Sequence, residues 1–150
     1  MNRDSRLSVA LHVLLHMREL EAPITSETLG SMMDTNPVVI RRTLGGLRDA
    51  GIVAAGKGHG GGWSLAADLA KVSLADVYES LGVTSALGIG LREEAPRCPL
   101  EREVNRAVGD ALAQAEAHLM GRFRSVSVAN LIETARKEKK DHARRHHRGR

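Results

Sequence analysis

The sequence predicts a mainly α-helical chain with one small β-hairpin, and three features carry that prediction. Between residues 25 and 50, two short runs with helical spacing of apolar residues flank the turn-forming Asp34-Thr35-Asn36-Pro37. Residues 56–62 place five glycines between two β-capable runs, the mark of a hairpin with a tight or closely approached tip. From Pro99 to Arg124 apolar residues recur at spacings of three and four over about seven helical turns. Two helices, a short turn and a glycine-tipped hairpin, in this order, make a winged helix-turn-helix, and the long helix is its means of dimerisation.

Taken in order, Ser5 to Leu20 reads as a first helix that is apolar nearly all round, through Leu7, Val9, Leu11, Val13, Leu14, Leu15, Met17 and Leu20. A polar stripe at Ser5, Ser8, His12, His16 and Glu19 leaves it one wet edge. Glu21-Ala22-Pro23 ends it, and Thr25 or Ser26 can cap a second helix running to about Met33, with Leu29, Met32 and Met33 as its buried side. Asn36 followed by Pro37 is a helix start: an amide side chain that accepts from the first turn, then a proline whose missing N–H costs nothing there. The third helix ends at Gly51, with Ile40, Leu44 and Leu47 inward and Val38, Arg41, Arg42 and Gly45 outward. Ile52–Ala55 and Trp63–Ala66 are the wing strands. Ser73-Leu74-Ala75-Asp76 has capping-box spacing and opens a helix to about Leu81. The expected organisation is a winged helix-turn-helix over 1–81, a loop in the effector position over 82–98, a dimerisation helix and a short last helix over 99–136, and a basic, disordered tail over 137–150.

A chain of 150 residues can bury a core without metal or disulfide staples. Its single cysteine, Cys98, cannot close an internal disulfide or supply an iron-sulfur cluster by itself, so no cofactor is expected. The apolar run Val9 to Leu15 is broken by His12 and is too short to span a bilayer, so a cytoplasmic protein without a membrane partner is expected. The net charge is +4, yet residues 137–150 carry seven cations against two acids, +5, which leaves −1 for the remainder. Any binding face in the body is therefore a local patch. Aromatic residues are limited to one Trp, one Tyr and one Phe. Readers of single strands and of RNA stack bases on several aromatic rings, so double-stranded DNA is the favoured partner.

The DNA-contacting set expected on this basis comprises Thr25, Ser26, Asn36, Pro37, Val38, Arg41 and Arg42 of the helix-turn-helix, with Lys57 and His59 at the wing tip. Asn36 can offer a bidentate amide to adenine, and Arg41 and Arg42 can fork onto guanine or phosphate. Read as isolated residues, the two arginines are only a solvated face, and winged helices also serve as protein-interaction adaptors. His12 and His16 have a metal-compatible spacing but no third ligand, so no metal is assigned. Cys98 sits where the long helix begins, beside Arg97 and one turn before Arg102; the setting suits a redox-sensing thiolate, or simply a small inert residue. The basic run with His142, His146 and His147 is a solvating tail or a non-specific DNA anchor. No paired base and nucleophile, phosphate loop or metal triad argues for an enzyme.

With these residues in view, the sequence resembles the Rrf2 family of bacterial winged-helix regulators, from about Leu7 to Leu131. The resemblance rests on Ala10-Leu11-His12, on Asn36 to Arg42, on Ala50-Gly51-Ile52-Val53, on Gly60-Gly61-Gly62-Trp63-Ser64-Leu65 and on Val72 to Tyr78. It implies a homodimer that crosses its long helices and reads a palindromic operator, usually as a repressor. Cluster-binding members carry three cysteines before and at the start of the long helix, where this chain has Cys98 alone. It is similar instead to members without a cluster, some of which respond to oxidants, thiols or small molecules, or need a protein partner.

Overall fold

The computed structural model describes residues 5–58, 61–83 and 98–147, the last ten of these as backbone only. Its elements follow the order α1 (Arg6–Leu20), α2 (Ser26–Met32), α3 (Pro37–Asp49), β1 (Val53–Ala55), β2 (Trp63–Leu65), α4 (Leu74–Ser80), α5 (Pro99–Arg124) and α6 (Val128–His147). The mainly helical class with a small β wing is what the sequence predicts. Among the described residues no helix is long and apolar enough to cross a membrane.

The core gathers around α1, whose Ala10, Val13 and Leu14 are fully buried, with Leu7, Val9, Leu11 and Leu15 packed at its margin. Leu29 of α2 and Ile40, Leu44 and Leu47 of α3 complete the centre, all without solvent exposure. Met32, expected inward, is 45% exposed. The seven-residue helix α2 buries Ser26, Leu29 and Gly30, and that stripe turns Met32 outward.

β1 and β2 pair antiparallel with Val53 opposite Leu65 and Ala55 opposite Trp63. Ile24 adds a bridge on the other side of β2 through two backbone bonds with Trp63, of 3.0 and 2.8 Å, so the wing is tied to the chain just before α2.

α4 starts with the capping box its sequence announces. Ser73 Oγ accepts from the Asp76 N–H at 3.2 Å, and Asp76 accepts from the Ser73 N–H at 2.7 Å. The Ser73 hydroxyl and N–H, with Arg124 nearby, hold the Asp76 carboxyl below its ordinary value. α3 and α4 approach so closely at Gly46 that a Cβ there would lie 2.3 Å from the Ser80 carbonyl oxygen. Neighbouring Gly45 has open space beside it.

α5 spans the 26 residues expected of it and buries none. Leu100, Val104 and Val108 are 74, 52 and 37% exposed. Its C-terminal end is held to α4 by an edge-on Tyr78–Phe123 contact at 5.8 Å and by Arg124 donating to Glu79 at 3.3 Å. The chain then returns to the core. Leu74 N–H donates to Val126 O, and Val128 N–H donates to Val72 O, at 2.9 and 2.8 Å, while Val128 and Ile132 are buried beside α1.

The last helix is longer than the short one expected and runs into residues expected to form a disordered tail. α6 continues to His147, because residues 133–147 are dominated by good helix formers, Ala, Glu, Lys and Arg, with no Gly or Pro to stop them. Residues 148–150 lie outside the described residues.

Gly46→Ala is expected to destabilise the fold by about 1 to 3 kcal/mol through overpacking against α4. Gly45→Ala should stabilise it by about 0.5 to 1 kcal/mol, since the position is helical and unobstructed. Urea unfolding monitored by circular dichroism measures both.

Candidate nucleic-acid interface

The geometry of α3 decides what it can present. With Ile40, Thr43, Leu44 and Leu47 buried, the positions spaced by three and four on the other side, Val38, Arg41, Arg42 and Gly45, face outward. Val38 is 63% exposed at the N-terminal end of this stripe, where a helix laid in a major groove meets base edges. Val39 is also exposed, at 43%, and sequence reasoning did not place it in the set. Two adjacent valines offer apolar surface of the kind that meets a thymine methyl group.

The turn before α3 is tight for reasons visible in single residues. Asp34 adopts a left-handed φ of 48°, and the Thr35 N–H donates to Gly30 O at 2.9 Å. Gly30 is required by this close approach: a Cβ would stand 2.7 Å from Thr35 O and 3.1 Å from the Pro37 ring. Asn36 Oδ1 accepts from the Val38 N–H at 2.8 Å, and Pro37 occupies the first turn. The carbonyl half of the Asn36 amide thus holds the cap, so the bidentate adenine contact expected of it competes with the start of the helix. Pro37 is half-buried beside Gly30 and fixes the entry angle of α3.

Arg41 and Arg42 are both exposed. Arg41 forms an ion pair with Glu27 in the first turn of α2, with 54 and 61% of the two side chains exposed. The Glu27 carboxyl is held below its ordinary value, first by its own backbone N–H and then by the Arg41 guanidinium. Sequence reasoning missed Glu27, which lies 14 residues from its partner.

Thr25 caps α2, its Oγ1 accepting from the Thr28 N–H at 3.1 Å, and it remains exposed at the edge of the same face. Ser26 is a correction. It is only 4% exposed, and its hydroxyl accepts from the Trp63 indole N–H at 3.0 Å, so it fastens the helix-turn-helix to the wing and offers no side chain to DNA. Lys57 stands exposed beyond β1 in the wing loop. His59 lies outside the described residues.

Cys98 is exposed immediately before α5 and makes no side-chain cap bond. Arg97, expected beside it, lies outside the described residues, as do the other residues of 84–97. His12 and His16 stack on each other with ring centroids 5.7 Å apart. Among the described residues no group of three or more His, Cys, Asp or Glu is placed to hold a metal ion.

Comparison with known proteins places this arrangement. Residues 3–134 match Rrf2, a family described as an iron-dependent transcriptional regulator. YwnA of Bacillus subtilis, a candidate HTH-type transcriptional regulator, is 31% identical over 129 residues, covering 86% of this chain and 96% of its own. A candidate DNA-binding protein of known crystal structure superposes with a TM-score of 0.70 at 26% identity, over 85% of this chain and 99% of that one. A candidate transcriptional regulator from Lactobacillus plantarum shares the fold with a TM-score of 0.73 at 23% identity, over 91% and 97% of the two chains. Iron in the family description raises the question of a cysteine-held cluster. The donor set does not fit one, since the whole chain has a single thiol.

Ser26→Ala is expected to cost about 1 kcal/mol or more, because the Trp63 N–H loses its acceptor in a half-buried site. Trp63 is the single tryptophan, so a red-shifted emission maximum together with a lowered thermal midpoint reports loosening between α2 and the wing.

Proposed function

This chain belongs to the Rrf2 family of transcriptional regulators, and on that premise we propose that it is a cytoplasmic homodimeric repressor that binds a palindromic operator in duplex DNA. The observation that carries this reading is the division of α3 into a fully buried face and an outward stripe of Val38, Arg41, Arg42 and Gly45 beneath an Asn36 cap. Val38, Arg41 and Arg42 meet base edges or phosphates in the major groove, Thr25 and the α2 start approach the DNA backbone, and Lys57 and His59 reach it from the wing.

Dimerisation is supported by α5. A 26-residue helix that leaves Leu100, Val104 and Val108 exposed and has no fully buried residue calls for a second surface, and another copy of itself is the simplest. Two α3 helices in a two-fold dimer would enter major grooves about 34 Å apart. The regulator works without an iron-sulfur cluster. Its signal is an oxidant or small molecule acting at exposed Cys98 and the preceding segment; peroxide would convert the thiol to a sulfenic acid with loss of water.

Selection of bound duplexes from a random library tests the function, and a recovered palindrome is the expected result. Arg41→Ala and Arg42→Ala should each weaken operator binding by about 1 to 3 kcal/mol where they contact a base. A protein-interaction adaptor would show only salt-sensitive duplex affinity that disappears when residues 137–150 are removed, and that outcome overturns the proposal. For the switch, peroxide should release wild-type protein from the selected duplex and leave Cys98→Ser bound; equal release of both excludes Cys98 as the sensor.

A further inference from the structure

Arg41 is not a bare cation on the outward face of α3. One edge of its guanidinium donates through Nη2 to Glu27 Oε1, and both side chains remain more than half exposed. Glu27 is thereby within ion-pair reach of the very stripe that would meet DNA. An unpaired carboxylate there would repel phosphates; a paired one cancels the charge of Arg41 and fixes the plane of its fork. The backbone N–H of Glu27 and the Arg41 guanidinium both favour the charged form of its carboxyl.

We propose that Glu27 is a specificity-determining residue of the DNA interface, holding Arg41 as a neutral, oriented pair that donates to a base edge and gains little from phosphate. The inference rests on the DNA-binding reading above. Guanidinium has five N–H donors, so engaging one edge leaves others free to meet paired acceptors such as guanine O6 and N7. Phosphate attraction depends on net charge and on released counterions, and a cation already neutralised contributes little of either. Base recognition depends on geometry, which the pair supplies. Glu27 acts through Arg41 as a positioning residue, and its own carboxylate needs no contact with DNA.

Glu27→Gln keeps the shape and removes the charge. The variant is expected to bind a random-sequence 30-base-pair duplex about tenfold more tightly than wild type, with the slope of log affinity against log salt steeper by about 1 for each protomer. Affinity for the selected palindrome should change less, so the ratio of the two falls. In an Arg41→Ala background Glu27 is unpaired, so Glu27→Gln should raise affinity for both duplexes alike and leave their ratio unchanged. An unchanged ratio and slope in Glu27→Gln overturns the inference. An equal fall of that ratio with and without Arg41 also overturns it, because Glu27 would then set specificity without acting through Arg41. Wild-type protein that prefers no duplex sinks the DNA-binding reading and this inference together. A preference in wild type that Glu27→Gln leaves intact sinks the inference alone.

Discussion

Ile40, Leu44 and Leu47 are each buried without exposure among residues of α1, α2 and the wing base, and the direction of every outward side chain on α3 follows from that seat. A helix has only one rotation that buries three such residues at spacings of four and three. Once it is taken, Val38, Arg41 and Arg42 have no choice of face. The cap at Asn36 and the packing of Gly46 against Ser80 then settle where the helix starts and how near α4 it runs. Hydrophobic packing thus sets the aim of the polar chemistry, at a cost in freedom that no surface residue could recover.

The same logic explains why the candidate interface is a continuous unit. Trp63 is bonded to Ile24 through its backbone and to Ser26 through its indole N–H, so the last strand of the wing is stitched to both sides of the α2 start. Lys57 moves with the strands that carry it, and those strands are fixed to the helices that carry Arg41 and Arg42. Few of these contacts involve charge. The net −1 of residues 1–136 is consistent with this: the region's architecture comes from apolar burial and backbone pairing.

Most of the architecture was legible because its signals are local. Asn36-Pro37, the Ser73–Asp76 box and Pro99 each start a helix where the sequence says so, and the periodic stripe predicts α5 from Pro99 to Arg124. Partners far apart along the chain were not legible. The Ser26–Trp63 bond spans 37 positions and the Glu27–Arg41 pair 14, and neither leaves a trace in propensity or spacing. Ser26 shows the consequence: a serine at a helix start reads as a cap or a DNA contact until the fold brings an indole beside it. Met32 turns outward because a seven-residue helix buries a narrow stripe, and α6 runs on because its helix-forming residues outweigh the solvating pull of their charge.

The attachment of α5 at one end gives it the mechanics of a lever. Its fulcrum lies at Phe123 and Arg124, clamped to Tyr78 and Glu79, and at about 1.5 Å per residue the 26-residue arm reaches roughly 39 Å to the Cys98 end. A rotation of about 5° at that fulcrum displaces the far end by roughly 3 Å over this length. Small adjustments in the packing of one phenylalanine are therefore magnified along the rod.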